Sequence, residues 1–133
     1  MHNPCAVVPV YNHETAITTV VDALLANQLP CILVDDASSP ACARVLDQLA
    51  LRDNVHLIRL AANQGKGGAV MTGLREASRL GFSHALQVDA DGQHPVDALP
   101  LRPDLVVIDD GVELRQPRLE ARAAILVEKE LGI

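Results

Sequence analysis

The densest chemistry in the chain lies in ten residues, "ALQVDADGQH", from Ala85 to His94. An apolar run ends in Asp89-Ala90-Asp91, and Gly92, Gln93 and His94 follow. Residues two apart in an extended segment point to the same side, so Asp89 and Asp91 can aim at one point. Hard divalent cations favour oxygen donors, and magnesium commonly takes one or two carboxylates beside phosphate oxygens and water. Gly92 lets the backbone turn without a side-chain clash. A metal held here could neutralise a diphosphate. Aspartates at strand ends are also common turn formers and helix caps, so the motif alone leaves both readings open.

Three other loops carry polar residues after apolar runs: "VPVYNHE" (8–14), "VDDASS" (34–39) and "NQGKGG" (63–68). Each has an ordinary explanation as well. Asp35-Asp36 with Ser38-Ser39 can form a turn and helix cap. "GKGG" lacks the G-x-x-x-x-G-K-[ST] spacing of a Walker loop, and its glycines can serve a tight turn and close helix packing. Tyr11 can be a half-buried strand-end residue, and His94 an exposed loop histidine. His2, His13, His56 and His84 show no metal-ligand spacing and read as structural.

The elements that must position these loops follow from hydrophobic periodicity. "CAVVPV" (5–10), "CILV" (31–34), "VHLIRL" (55–60) and "HALQV" (84–88) read as strands. Between the first two, Ala16, Ile17, Val20, Val21, Leu24 and Leu25 share a helical face. Ser39-Pro40 is an N-cap followed by proline at the first helical position, opening a helix to about Leu51. The glycine loop opens a third helix through Val70, Leu74 and Ala77, stopped at Gly81. Strands separated by helices imply a mainly parallel α/β sheet with helices on both faces. Every polar loop then leaves the carboxyl end of a strand, the edge where open α/β sheets bind ligands. Beyond it, "LVVI" (105–108) reads as a fifth strand and 117–131 as a closing helix. The ten residues from Pro95 to Asp104 contain three prolines and have little room for a crossover helix.

A chain of 133 residues suits a single domain, here a core over 1–97 and a closing strand and helix over 98–133. With 49% hydrophobic and 21% charged residues it reads as globular. Tyr11 and Phe82 are its two aromatics, so the core is aliphatic. That scarcity, a formal charge of −6 and a pI near 5.2 argue against a nucleic-acid partner. Cys5, Cys31 and Cys42 make no CxxC pair and are expected as buried free thiols, which suits a cytoplasmic setting. No apolar run reaches the ~18 residues of a membrane span, and no signal peptide is visible.

Taken in order, "VPVYNHE", "VDDASS", "NQGKGGAVMTGLREA" and "DADGQH" resemble the family 2 glycosyltransferases of Rossmann-like GT-A fold. The similarity is greatest to the branch of dolichyl- and polyprenyl-phosphate mannosyl- or glucosyltransferases, and it covers about residues 5–97. The resemblance implies a nucleotide-diphosphate sugar donor, linked to UDP or GDP, and a Mg²⁺ or Mn²⁺ ion. It implies that Pro9, Tyr11 and Glu14 lie against the nucleotide. Asp36 would hydrogen-bond the base or ribose, with Val34 lining the site. Asn63 to Gly68 would lie beside the nucleotide, Gly65 and Lys66 included, and Lys66 would add positive charge. Asp89 and Asp91 would be the metal-binding pair, with Ala90 approaching the nucleotide and Gln93 helping to hold the metal. Catalysis would run through Asp91 by metal-mediated stabilisation of the leaving diphosphate, with inversion at the sugar. The acceptor would be a lipid phosphate such as polyprenyl phosphate, or a hydroxyl, at the inner face of a membrane.

The match stops before the end of the chain. The family's acceptor-binding half is not recognisable, and "PDLVVIDDGVELRQPRLEARAAILVEKELGI" departs from it. Asp109 or Asp110 could stand in for a missing base, but such a pair more commonly caps a turn. A nucleotide-sugar-binding domain without turnover is the alternative expectation. A receiver-like reading of "PDLVVIDDG" leaves the glycine loop and the D-x-D without a role. An exposed sheet edge in the tail would favour pairing of two copies.

Overall fold

The computed structural model describes residues 3–91 and 105–107. Five strands form one sheet: β1 (Pro4–Val10), β2 (Cys31–Asp35), β3 (Val55–Arg59), β4 (His84–Gln87) and β5 (Leu105–Val107). The spatial order is β3-β2-β1-β4-β5. The first four strands are parallel, with Ala6 opposite Cys31, Cys31 opposite Val55 and Pro4 opposite His84. β5 runs antiparallel to β4, with Ala85 opposite Val106. An antiparallel neighbour needs no crossover helix, which suits the short proline-rich link before it. The expected fifth strand is therefore present over Leu105–Val107. The helix expected over 117–131 lies outside the described residues.

Strand period and burial explain the layers. Cys5 and Val7 of β1, with Ile32 and Val34 of β2, pack on one face against Ala69, Val70, Leu74 and Ala77 of α3 (Gly65–Arg79). On the other face, Ala6, Val8, Val10, Cys31 and Leu33 pack against α1 (Ile17–Ala26) and α2 (Pro40–Leu49). Both central strands are covered on both sides, which is why they read as unbroken apolar runs. α1 follows the expected face, burying Ile17, Val20, Val21 and Leu24.

α3 lies closest to the sheet at Gly73. A Cβ there would come within 2.4 Å of Val7 Cγ1 and 3.0 Å of Val34 Cγ2, so only glycine allows the helix to approach so closely. The helix also starts earlier than expected. Gly65, at φ +79°, turns the chain into it, and Lys66, Gly67 and Gly68 belong to its first turn rather than to a loop.

Candidate functional site

The chain runs outward from β1 through β2 to β3, then returns across the sheet to place β4 on the other side of β1. The carboxyl ends of β1 and β4 thus flank the point where strand order reverses, which leaves a crevice between diverging connections. A cavity of about 180 Å³ opens there. Pro9, Val10, Tyr11 and His13 supply its wall after β1. Asp36 comes from the end of β2, Lys66 from the first turn of α3, and Asp89, Ala90 and Asp91 from beyond β4.

The first two loops are tied together by hydrogen bonds. The Asn12 N–H donates to Ser38 Oγ at 3.1 Å, and Ser38 Oγ donates to the Val10 carbonyl at 3.3 Å. The Ser39 N–H donates to Asn12 Oδ1 at 2.7 Å. Asn12 and Ala37 both sit near φ +59°, a conformation asparagine tolerates better than alanine. Ser39 takes the N-cap position of α2, as expected, but its hydroxyl makes no capping bond.

The adjacent aspartates do different work. Asp35 is buried, accepting the Ser38 N–H at Oδ1 (2.9 Å) and Arg59 Nε at Oδ2 (2.8 Å). Burial alone would raise its carboxyl, but the hydrogen bonds from Arg59 and Ser38, with the Arg59 charge, hold it below the usual carboxylate value. Arg59 continues to the Ala43 carbonyl and Asp47, fastening α2 to the sheet edge. Asp36 is also buried, yet it borders the cavity. Its N–H donates to the Val10 carbonyl at 2.9 Å, and its Oδ1 accepts the Gln64 N–H at 2.6 Å, just before α3. Asn63 Nδ2 donates to the Asp36 carbonyl at 3.1 Å. One residue thus joins β1, β2 and the start of α3.

Opposite charges meet across the cavity. Lys66 Nζ lies 2.6 Å from Asp89 Oδ1. Lys66 stands at the positive end of the α3 macrodipole, where a cation costs about 0.3–1 kcal/mol. The helix amides and Lys66 together make an anion-favouring pole, and Asp89 and Asp91 make a cation-favouring one. Among the described residues no three His, Cys, Asp or Glu side chains converge on one metal position. Two carboxylates nevertheless suit a hard divalent ion completed by diphosphate oxygens, and Asp89 already holds a cation, the Lys66 ammonium. The donor set suits a hard divalent cation.

Of the expected site residues, the cavity gathers Pro9, Tyr11, Asp36, Lys66, Asp89, Ala90 and Asp91. Val34 does not border it: its side chain is wholly buried beneath α3. Gly65 precedes Lys66 without bordering the cavity. Glu14 also lies outside it, with Oε2 sealed from solvent and without a hydrogen-bond partner among the described residues. Gln93, His94, Asp109 and Asp110 lie outside the described residues. The cavity also takes in Val10 and His13. The spacing of His13 to other histidines carries no signal, although it stands between Asn12 and Glu14 in the first motif.

An open, mainly parallel α/β sheet with helices on both faces and a polar cavity at its switch point has the architecture of the GT-A fold. TarS of S. aureus superposes with a TM-score of 0.58 at 24% identity, over 67% of this chain and 27% of that one. The mannosyltransferase PcManGT from Pyrobaculum calidifontis, solved with GDP-Man and Mn²⁺, does so with the same values. At that identity the likeness speaks for the fold alone. The profile of Glycosyl transferase family 2 matches residues 5–102, and the chain belongs to that family. Among curated relatives, the polyprenol monophosphomannose synthase of Mycolicibacterium smegmatis is 30% identical over 112 residues, 81% of this chain and 42% of that protein. The UDP-N-acetylglucosamine–dolichyl-phosphate N-acetylglucosaminyltransferase of Methanococcus voltae is 33% identical over 105 residues, 68% of this chain and 42% of its own length. The chain thus spans 42% of the length of each of these two relatives.

Proposed function

We propose that this chain binds a UDP- or GDP-linked sugar with a divalent cation and transfers the sugar, with inversion, to a lipid-phosphate acceptor such as polyprenyl phosphate. The observation that carries this reading is the cavity at the switch point, lined by Asp89 and Asp91, with Asp89 paired to Lys66 on the first turn of α3. Tyr11, half exposed and lining the cavity, would pack against the base. Asp36 is held rigidly enough by Val10, Asn63 and Gln64 to orient a base or ribose. Asp89 and Asp91 would hold Mg²⁺ or Mn²⁺, which supplies Lewis-acid stabilisation of the departing diphosphate. Lys66 and the α3 amides would place the diphosphate and share its charge. A phosphate acceptor needs no carboxylate base, because its attacking oxygen is already anionic.

Ligand pockets commonly enclose about 300–1,000 Å³, so the described residues surround only part of a nucleotide sugar. No helix among them is long and apolar enough to cross a membrane, and a lipid acceptor would meet the site at a membrane surface. Calorimetry with UDP, GDP and their sugars, with and without Mn²⁺, tests the donor site. Metal-enhanced binding of at least one nucleotide is expected, and no binding under any condition would refute the reading. Incubation with sugar nucleotides and polyprenyl phosphate should yield lipid-linked sugar. Clear nucleotide binding without product would leave a binding domain without turnover.

A further inference from the structure

We infer that Lys66 is an exchangeable counter-ion: it competes with the divalent cation for Asp89 and, once displaced, holds the diphosphate. The inference rests on the donor-site reading above. Lys66 and Asp89 come from different elements and meet across the cavity, with Nζ 2.6 Å from Oδ1. An ammonium and a divalent cation sharing one carboxylate repel each other, so entry of the metal favours withdrawal of Lys66. Its side chain is 57% exposed on a flexible four-carbon stem, so it can swing without disturbing the core.

Where it swings is set by the helix. Lys66 is at the positive end of α3, which offers it no favourable interaction. An anion drawn to that helix end is the group that best rewards its release from Asp89. Asp36 is a poor alternative, because its Oδ1 already accepts the Gln64 N–H at 2.6 Å. Lys66 therefore opposes metal binding when the metal comes alone and favours nucleotide binding once the metal is in place. Metal and nucleotide bind cooperatively, and by linkage each tightens the other equally.

The test uses the 133-residue chain and its Lys66→Met variant, with Lys66→Arg as the charge-retaining control. Free Mn²⁺ is followed by electron paramagnetic resonance, first alone and then with saturating UDP or GDP. UDP and GDP affinities are measured by calorimetry at saturating Mn²⁺. Loss of a partly exposed ion pair should tighten Mn²⁺ alone by roughly 5-fold in Lys66→Met. The same variant should bind the nucleotide about 5- to 10-fold more weakly with Mn²⁺ present, because a charge-assisted contact is lost. Lys66→Arg should retain the competition. Opposite shifts separate exchange from structural damage, which would weaken both ligands. If wild type binds Mn²⁺ and nucleotide but Lys66→Met leaves Mn²⁺ affinity unchanged or weaker, the exchange is refuted and the donor site stands. If wild type binds neither, the donor-site reading fails and the exchange falls with it.

Discussion

Replacing Asp35 by alanine should loosen the site from behind without touching the cavity wall. Asp35 accepts one hydrogen bond from the Ser38 N–H and one from Arg59 Nε. A hydrogen bond to a charged acceptor contributes about 1.5–3 kcal/mol, and the Ser38 N–H would lose that acceptor. The Arg59 guanidinium is 43% exposed and keeps Asp47 and the Ala43 carbonyl, so its share is discounted to about 0–1 kcal/mol. The expected loss is about 1.5–4 kcal/mol by urea denaturation. Asp35→Asn keeps an acceptor for Ser38 and should lose only about 1 kcal/mol. Because the folded carboxyl lies below its ordinary value of 3.8, its stabilisation is complete above that value. It drains away as the pH falls through the lowered folded value, so the gap between wild type and Asp35→Asn should close in that acidic range. Ser38 also holds Val10 and Asn12, so UDP affinity should fall roughly tenfold in Asp35→Ala through a displaced first loop. An Asp35→Ala protein within about 0.5 kcal/mol of wild type would refute the tethering argument.

Gly73→Ala should destabilise by about 1–2 kcal/mol in urea: overpacking against Val7 and Val34 outweighs the ~1 kcal/mol that alanine ordinarily gains over glycine in a helix. A more stable variant would show that α3 can shift outward freely. Asp91→Ala should abolish the Mn²⁺ enhancement of nucleotide binding in calorimetry while the chain stays folded by circular dichroism; surviving enhancement would remove Asp91 from the metal site. Burial pushes the thiols of Cys5 and Cys31 up to about 12, leaving a thiolate fraction of roughly 10⁻⁴ at pH 8. Ellman's reagent should therefore leave both untouched in the native chain and react with all three cysteines in urea; rapid native labelling of Cys5 or Cys31 would contradict their burial.

Strands, helices and the chemistry of the loops were legible because they depend on neighbours in the chain. Apolar runs such as "CILV" become buried strands wherever a sheet is covered on both faces. Asp89 and Asp91 share a side through backbone alternation alone, and the order of the four motifs identified the family. Pairings between distant segments could not be read that way. Val34 sits in a loop motif, but the parity of β2 turns it under α3 and into the core. His13 had no partner spacing in the sequence and reached the cavity because the first loop folds back to Ser38 and Ser39. The contact of Lys66 with Asp89 needed α3 to cross the sheet and set its first turn beside the end of β4. Side-chain chemistry and local periodicity are properties of short segments, so the groups able to act are written in the chain. Which of them meet depends on strand order and helix placement, and these follow from burying the whole apolar surface at once.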